Sequence, residues 1–301
     1  MTITTIPRAA VLPVHAANAV TGEVPYWDAP TGLLWWSRAL RPALSKPSLG
    51  HRPETAETVE VNLPSMPGLI AGRRRGGLVI GLEDGLYAFD PANGLGERLV
   101  AVEAEDARTR VNDGKPDPAG RLWFGTMDKT GGGAPIGALY CLDLDGTLHC
   151  VRRGVGIPNG ISFSADGRIL YFADTATGVL EAIPCDPATG RLGEPRAFLR
   201  CAPDVLPDGS CVDAEDAIWI ALVGAGRIER RRPDGTLDLV VELPVTRATM
   251  GLLGGPDGQT LYVSTQRRFL TVAQLRQQPL AGDLLAVRVS ALARAPFLAA
   301  I

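Results

Sequence analysis

Four residues carry side-chain oxygen at matching places in a repeating pattern. Glu23, Asn112, Asn159 and Asp208 each stand just ahead of a tight turn that leads into an apolar run. Asn112 precedes Gly120, Asn159 precedes Gly167 and Asp208 precedes Asp216 by about eight positions, while Glu23 precedes Gly32 by about nine. Two further units put Gly68 and Met250 at this place. The period, roughly 42 to 49 residues, is that of solenoids, propellers and arrays. If equivalent positions face one axis, two carboxylates and two amides form an oxygen-rich site. Oxygen-only ligation suits hard cations such as Ca²⁺, Mg²⁺ or Mn²⁺.

The elements that must position these residues read as strands. In the third unit the turn Asp117-Pro118-Ala119-Gly120 precedes the run Leu122-Trp123-Phe124-Gly125. Pro pre-sets φ for the turn and Gly accepts positive φ, so the run that follows reads as a buried strand. Second hairpins follow, such as Gly85-Leu86-Tyr87-Ala88-Phe89-Asp90 and Gly137-Ala138-Leu139-Tyr140-Cys141-Leu142-Asp143. Four strands per unit and six units predict an all-β fold: a six-bladed β-propeller with four-stranded blades, closed by N- and C-terminal segments. All of residues 1–301 would then form one domain. Residues 9–14 read as a strand joining the last blade rather than as a secretory leader. Residues 38–62, with Pro42, Pro47 and Pro53, read as an irregular connection in the first blade, and residues 269–278 as briefly helical.

Composition excludes several classes. Net charge is −3 and pI about 5.7, so nothing favours nucleic acid or membrane partners. The basic run Arg73-Arg74-Arg75 reads as a solvated turn. No stretch approaches the roughly 20 apolar residues of a membrane span. The five cysteines lack metal-ligand spacing. The turn Asp143-Leu144-Asp145-Gly146-Thr147 pairs Asp143 with Thr147 and sets Cys141 opposite His149 rather than Cys150. The thiols therefore read as reduced, in a cytoplasmic protein. His15, His51 and His149 lie outside every motif, which argues against a catalytic histidine. Asp174 reads equally as support for the site or as a strand-end cap.

The motifs Gly22-Glu23-x-Pro25-x-Trp27-Asp28, Arg110-x-Asn112-Asp113-Gly114-Lys115, Gly125-Thr126-Met127, Ile157-Pro158-Asn159-Gly160, Pro207-Asp208-Gly209 and Gln278-Pro279-Leu280-Ala281-Gly282 resemble the gluconolactonase/regucalcin family of six-bladed propellers. The match runs in order over nearly the whole chain. The resemblance implies one divalent cation held by Glu23, Asn159 and Asp208, with Ca²⁺ favoured and Zn²⁺, Mn²⁺, Mg²⁺ or Fe²⁺ as alternatives. The preference among these metals rests on the oxygen-only donors; the resemblance itself implies the cation and its three ligands, sugar contacts from Arg110 and Asn112, and hydrolysis of sugar-acid lactones. Two departures stand out. Val24 replaces a glycine common after the Glu, and Thr130 stands where animal members place a Glu, so the particular lactone is left open.

A lactone carbonyl becomes an oxyanion when water adds, and a neighbouring cation stabilises that charge. Asp208 is the candidate base, although ligation weakens a carboxylate as a base, and the two roles stay open. The alternatives are a metal-dependent hydrolase of phosphotriesters or other esters, and a non-catalytic propeller that binds a partner on its face.

Overall fold

The computed structural model describes residues 3–39, 51, 52, 57, 58 and 61–301, so most of the irregular connection expected over 38–62 lies outside the described residues. The strands, in chain order, are β1 (Thr4–Ile6), β2 (Leu12–His15), β3 (Thr21–Asp28), β4 (Leu33–Ala39), β5 (His51–Arg52), β6 (Glu57–Thr58), β7 (Leu69–Gly72), β8 (Leu78–Leu82), β9 (Gly85–Asp90) and β10 (Gly94–Ala101). They continue with β11 (Thr109–Pro116), β12 (Leu122–Asp128), β13 (Gly137–Leu142), β14 (Leu148–Val155), β15 (Pro158–Phe163), β16 (Ile169–Asp174), β17 (Val179–Pro184) and β18 (Arg196–Arg200). The last are β19 (Leu206–Val212), β20 (Ile218–Val223), β21 (Arg227–Arg231), β22 (Leu237–Glu242), β23 (Ala248–Gly254), β24 (Thr260–Thr265) and β25 (Leu284–Arg288). Among the described residues there is one α-helix, α1 (Val272–Gln277), which starts with a capping box between Thr271 and Gln274, inside the stretch expected to be helical.

Within each sheet the sequence-consecutive strands pair antiparallel, the form of a propeller blade. The chain divides into two compact units, Met1–Met66 with Asp204–Arg294, and Pro67–Pro203 with Ala295–Ile301. The first holds the sheets β3-β4-β5-β6, β19-β20-β21-β22-β1 and β23-β24-β25-β2. The second holds β7-β8-β9-β10, β11-β12-β13-β14 and β15-β16-β17-β18.

The strand order follows from the residue pattern. Strands β12, β13 and β20 are buried throughout, which is why their sequences read as largely apolar runs. The outer strands β10, β14 and β18 are largely exposed and carry Arg and Glu, which blunts a free sheet edge. Gly120 takes φ +99° at the turn before β12, and its N–H donates to both the Asp117 carbonyl and Asp117 Oδ1 at 2.9 Å.

The chain termini depart from expectation in detail. The N-terminal strand pairing with β25 is Leu12–His15, later than residues 9–14, because residues 8–10 form a 3₁₀ turn. Uniform four-stranded blades are also corrected: β1 runs parallel to β22 and makes that sheet five-stranded. Antiparallel hairpin signals cannot disclose such a long-range parallel pairing. In the second unit, the Arg73-Arg74-Arg75 turn is not simply solvated. The Arg74 N–H donates to the Ala299 carbonyl at 2.8 Å, Arg73 Nε donates to the Ile301 main-chain oxygen at 2.9 Å, and Ala299 is buried with Leu69, Val111 and Phe124. Cys141 does face His149, and the five cysteines are free.

Candidate functional site

In the second unit, strand β11 lies between β7 and β15. Along its first residues Thr109, Val111 and Asp113 are buried while Arg110 and Asn112 are half-exposed, so these two side chains share one face. Arg110 Nη1 donates to Asn112 Oδ1 at 2.8 Å and to the Val111 carbonyl at 2.9 Å. Asn112 Nδ2 donates to the Pro158 carbonyl at 2.8 Å and to Asn159 Oδ1 at 3.1 Å. Asn159 Nδ2 donates in turn to Thr175 Oγ1 at 2.9 Å. Each amide is thus oriented by a donor behind it and an acceptor ahead. Asn159, only 7% exposed, turns its oxygen toward Asn112 and keeps a second lone pair for another partner.

The backbone makes this arrangement possible. β11 carries a bulge between Asn112 and Gly114, and β15 carries one between Asn159 and Ser162. Asp113 has φ +39° and Gly160 φ +63°, each directly after a site residue. Bulges of this kind bend a strand and re-aim a side chain. Asp113 fixes the two strands to each other: its carboxylate accepts from the Gly114 N–H at 2.7 Å and the Ile161 N–H at 2.9 Å. At the second-unit place of Gly68 no side chain fits. A Cβ there would lie 2.1 Å from the Val111 carbonyl oxygen.

Asp174 is a cap. Its carboxylate accepts from the N–H groups of Gly156 and Ile157 at 2.9 Å, which sets the entry to β15. Thr130, at the place of the missing Glu, donates its hydroxyl to Asp128 Oδ2 at 2.7 Å. Hydrogen bonds from the Thr130 hydroxyl and amide hold the Asp128 carboxyl below the usual range.

In the first unit, β23 lies between β3 and β19, which carry Glu23 and Asp208. The same backbone device recurs. Bulges fall between Glu23 and Tyr26, between Pro207 and Ser210, and between Ala248 and Met250. Val24 has φ +46°, a conformation that disfavours a β-branched residue, whereas the glycine of the resembled motif would adopt it freely. Thr249 Oγ1 donates to the Gly22 carbonyl at 2.6 Å, and Gly209 abuts Met250. Asp208 is 7% exposed and Glu23 half-exposed.

Two residues at this end of the first unit, Arg247 and Phe269, lie outside every sequence motif. Arg247 directly precedes β23, and burial lowers its pKa against the pull of the Asp208 carboxylate. Phe269 lies under both Arg247 and Arg268. The only sequence signal was the Arg267-Arg268-Phe269 run, which has no counterpart in the other repeats.

The donor set fits a divalent cation in kind: two carboxylates and one amide oxygen, with no soft ligand. Among the described residues no three His, Cys, Asp or Glu side chains cluster.

Blade-type sheets with chemistry-bearing residues at bulges in their first strands define an all-β propeller. The chain belongs to the SMP-30/gluconolactonase/LRE-like family, whose description matches residues 21–267. It is 33% identical over 280 residues to a 6-deoxy-6-sulfogluconolactonase of Pseudomonas putida, covering 90% of this chain and 92% of that protein. It is 31% identical over 274 residues to regucalcin of Sus scrofa, covering 89% and 90%. The crystal structure of a calcium-binding protein, regucalcin, from Agrobacterium tumefaciens superposes with TM-score 0.91 at 28% identity, covering 100% of both chains. No helix among the described residues is long and apolar enough to cross a membrane.

Proposed function

We propose that the chain is a metal-dependent lactonase that opens the ester ring of a sugar-acid lactone, built as one six-bladed ring closed by its N- and C-terminal segments. The observation that carries this reading is local and repeated: Glu23, Asn112, Asn159 and Asp208 each sit at or directly before a bulge in an innermost strand. Relatives named for lactone hydrolysis support the substrate class.

Glu23, Asn159 and Asp208 would hold one divalent cation, with Ca²⁺ favoured by the oxygen-only donors. When bound, the cation supplies Lewis-acid stabilisation of the oxyanion that forms at the lactone carbonyl. Arg110 and Asn112 bind sugar hydroxyls and fix the ring for attack. Asp208 accepts a proton from the attacking water. The water oxygen bonds to the carbonyl carbon, the ring C–O bond breaks, and a proton passes to the leaving oxygen, giving the open hydroxy acid.

The test is a panel of sugar lactones and an organophosphate triester, each with and without chelator. Turnover of a lactone that chelator abolishes and divalent metal restores is expected. Full turnover in chelator, or turnover of the triester alone, would overturn the reading. Asp208→Asn keeps a ligand oxygen but cannot accept the proton, so kcat falls by about 10² even at saturating metal. Restoration of its rate by excess metal would reduce Asp208 to a ligand. Arg110→Ala mainly raises KM, by about ten- to a hundredfold. Asn112 keeps its orientation in that variant, because Pro158 and Asn159 still accept from its Nδ2.

A further inference from the structure

Arg247 is an unusual cation. Its Nε is buried and has no hydrogen-bond partner among the described residues. Its guanidinium carbon lies 5.3 Å from the centre of the Phe269 ring, and that of Arg268 lies 4.7 Å from the same centre. Phe269 is 68% exposed and held at φ +65°, a conformation that L residues with bulky side chains adopt only under constraint. The segment is pinned: the Gln266 N–H donates to the Arg247 carbonyl at 3.0 Å, and the N–H groups of Arg267 and Arg268 donate to the Val20 carbonyl just ahead of β3. The backbone thus holds a strained, exposed aromatic ring under two guanidinium groups.

Arg247 feels attraction from Asp208 and repulsion from Arg268, while Arg267 donates to the Asn18 amide oxygen at 2.9 Å and faces the Asp283 carboxylate. Arg247 stands at the start of β23, between the strands that carry Glu23 and Asp208. Packing alone would not place a partly desolvated guanidinium with an unmet donor beside a second cation, because burial of an unmet donor is unfavourable. An oxyanion supplies the missing acceptor for the Arg247 Nε, in a charge-assisted bond.

We propose that Arg247 and Arg268, braced by Phe269, bind an oxyanion substituent such as a phosphate or sulfonate, carried by the lactone that reacts beside Asp208. The proposal deepens the lactonase reading and rests on it. It makes Arg247 a specificity-determining residue: neutral and anionic lactones share the chemistry at the ring, and the charged tail decides between them.

The experiment compares kcat/KM for gluconolactone and for its 6-phosphate. The unmodified protein favours the phosphorylated lactone. Arg247→Gln lowers that preference ratio by about ten- to a hundredfold, the weight of one charge-assisted hydrogen bond. Arg247→Lys restores part of it. Arg288→Gln, which removes an exposed Arg paired with Asp257, leaves the ratio as it was. No preference in the unmodified protein, or an unchanged ratio in Arg247→Gln, would overturn the proposal. A 6-sulfonated lactone separates the two oxyanions: preference for both marks a general oxyanion site, and preference for one alone identifies its source. If neither lactone is hydrolysed, the lactonase reading fails, and calorimetry with 6-phosphogluconate against gluconate then decides the anion site by itself. Selectivity that is lost in Arg247→Gln supports the site, and equal affinities refute it.

Discussion

Gly68→Ala tests how closely packing and the site are coupled. Gly68 is not in the left-handed region, so the reason for glycine is space. A Cβ would lie 2.1 Å from the Val111 carbonyl oxygen, 2.7 Å from the Val111 carbonyl carbon and 2.8 Å from Asn112 Cα, where ordinary contact begins at 3.4 Å. All three atoms are backbone, so no side chain can swing away. The start of β7 and the middle of β11 must separate by roughly an ångström, which belongs at the upper end of the 1–3 kcal/mol range for overpacking. That shift also moves Asn112 against its 2.8 Å and 3.1 Å bonds to Pro158 and Asn159, with another roughly 1–3 kcal/mol at stake. The total loss is about 3–6 kcal/mol by urea unfolding. Since about 1 Å of misplacement costs about 10² in rate, lactone turnover falls by a similar factor in the folded fraction. Gly146→Ala is the control: that glycine has φ +85° with nothing within 4 Å, so only about 1 kcal/mol is lost, with no effect on turnover. A Gly68→Ala protein as stable and as active as the parent would refute the argument.

Asp113→Ala leaves the buried N–H groups of Gly114 and Ile161 without acceptors, so urea unfolding shows a loss of about 2–5 kcal/mol. Asp113→Asn keeps one acceptor and loses less; equal losses in the two variants would refute the bridging role. Glu23→Gln, Asn159→Ala and Asp208→Ala each weaken divalent-cation binding by calorimetry while the fold persists, and unchanged occupancy in all three would refute the ligand assignment. Burial pushes the Asp238 carboxyl up, but Arg232 and Arg230 outweigh it and hold it below the usual range. A lowered folded-state pKa gives stability that is present above the usual carboxylate range and lost as pH falls through the folded value. The penalty of Asp238→Asn is therefore full near about pH 6 and fades below about pH 4. A penalty that grows on acidification would show that the ion pairs do not act this way.

The sequence made the blades legible because their inner strands are apolar runs between Asp-Gly and Asn-Gly turns, and turn chemistry is local. The register of Asn112 and Asn159 was legible for the same reason. The bulges were not, since an extra residue in one strand is visible only against its partner. Val24 could be flagged as a departure from glycine, but not as a residue with positive φ. Gly68 could be placed in the repeat register, but not as a point where the chain ahead of β7 comes up against the backbone of β11. The amide chain from Arg110 to Thr175 joins residues far apart in sequence, and no spacing rule encodes it. Arg247 was passed over because an arginine outside a repeat register looks like ordinary surface.

Both compact units are discontinuous, and this bears on biosynthesis. β1 and β2 leave the ribosome roughly 230 to 270 residues before β22 and β25, which at about 5–20 residues per second is a wait of roughly 10 to 50 seconds. For that interval two unpaired strands face a crowded solution. Their brevity, three and four residues, and the proline at position 13 make them poor templates for another chain. The second unit waits too, since Ala299, which completes its apolar cluster, is made only after all of residues 204–294. Lengthening β1 or replacing Pro13 would leave the finished protein little changed, yet would raise the share of nascent chains lost to aggregation.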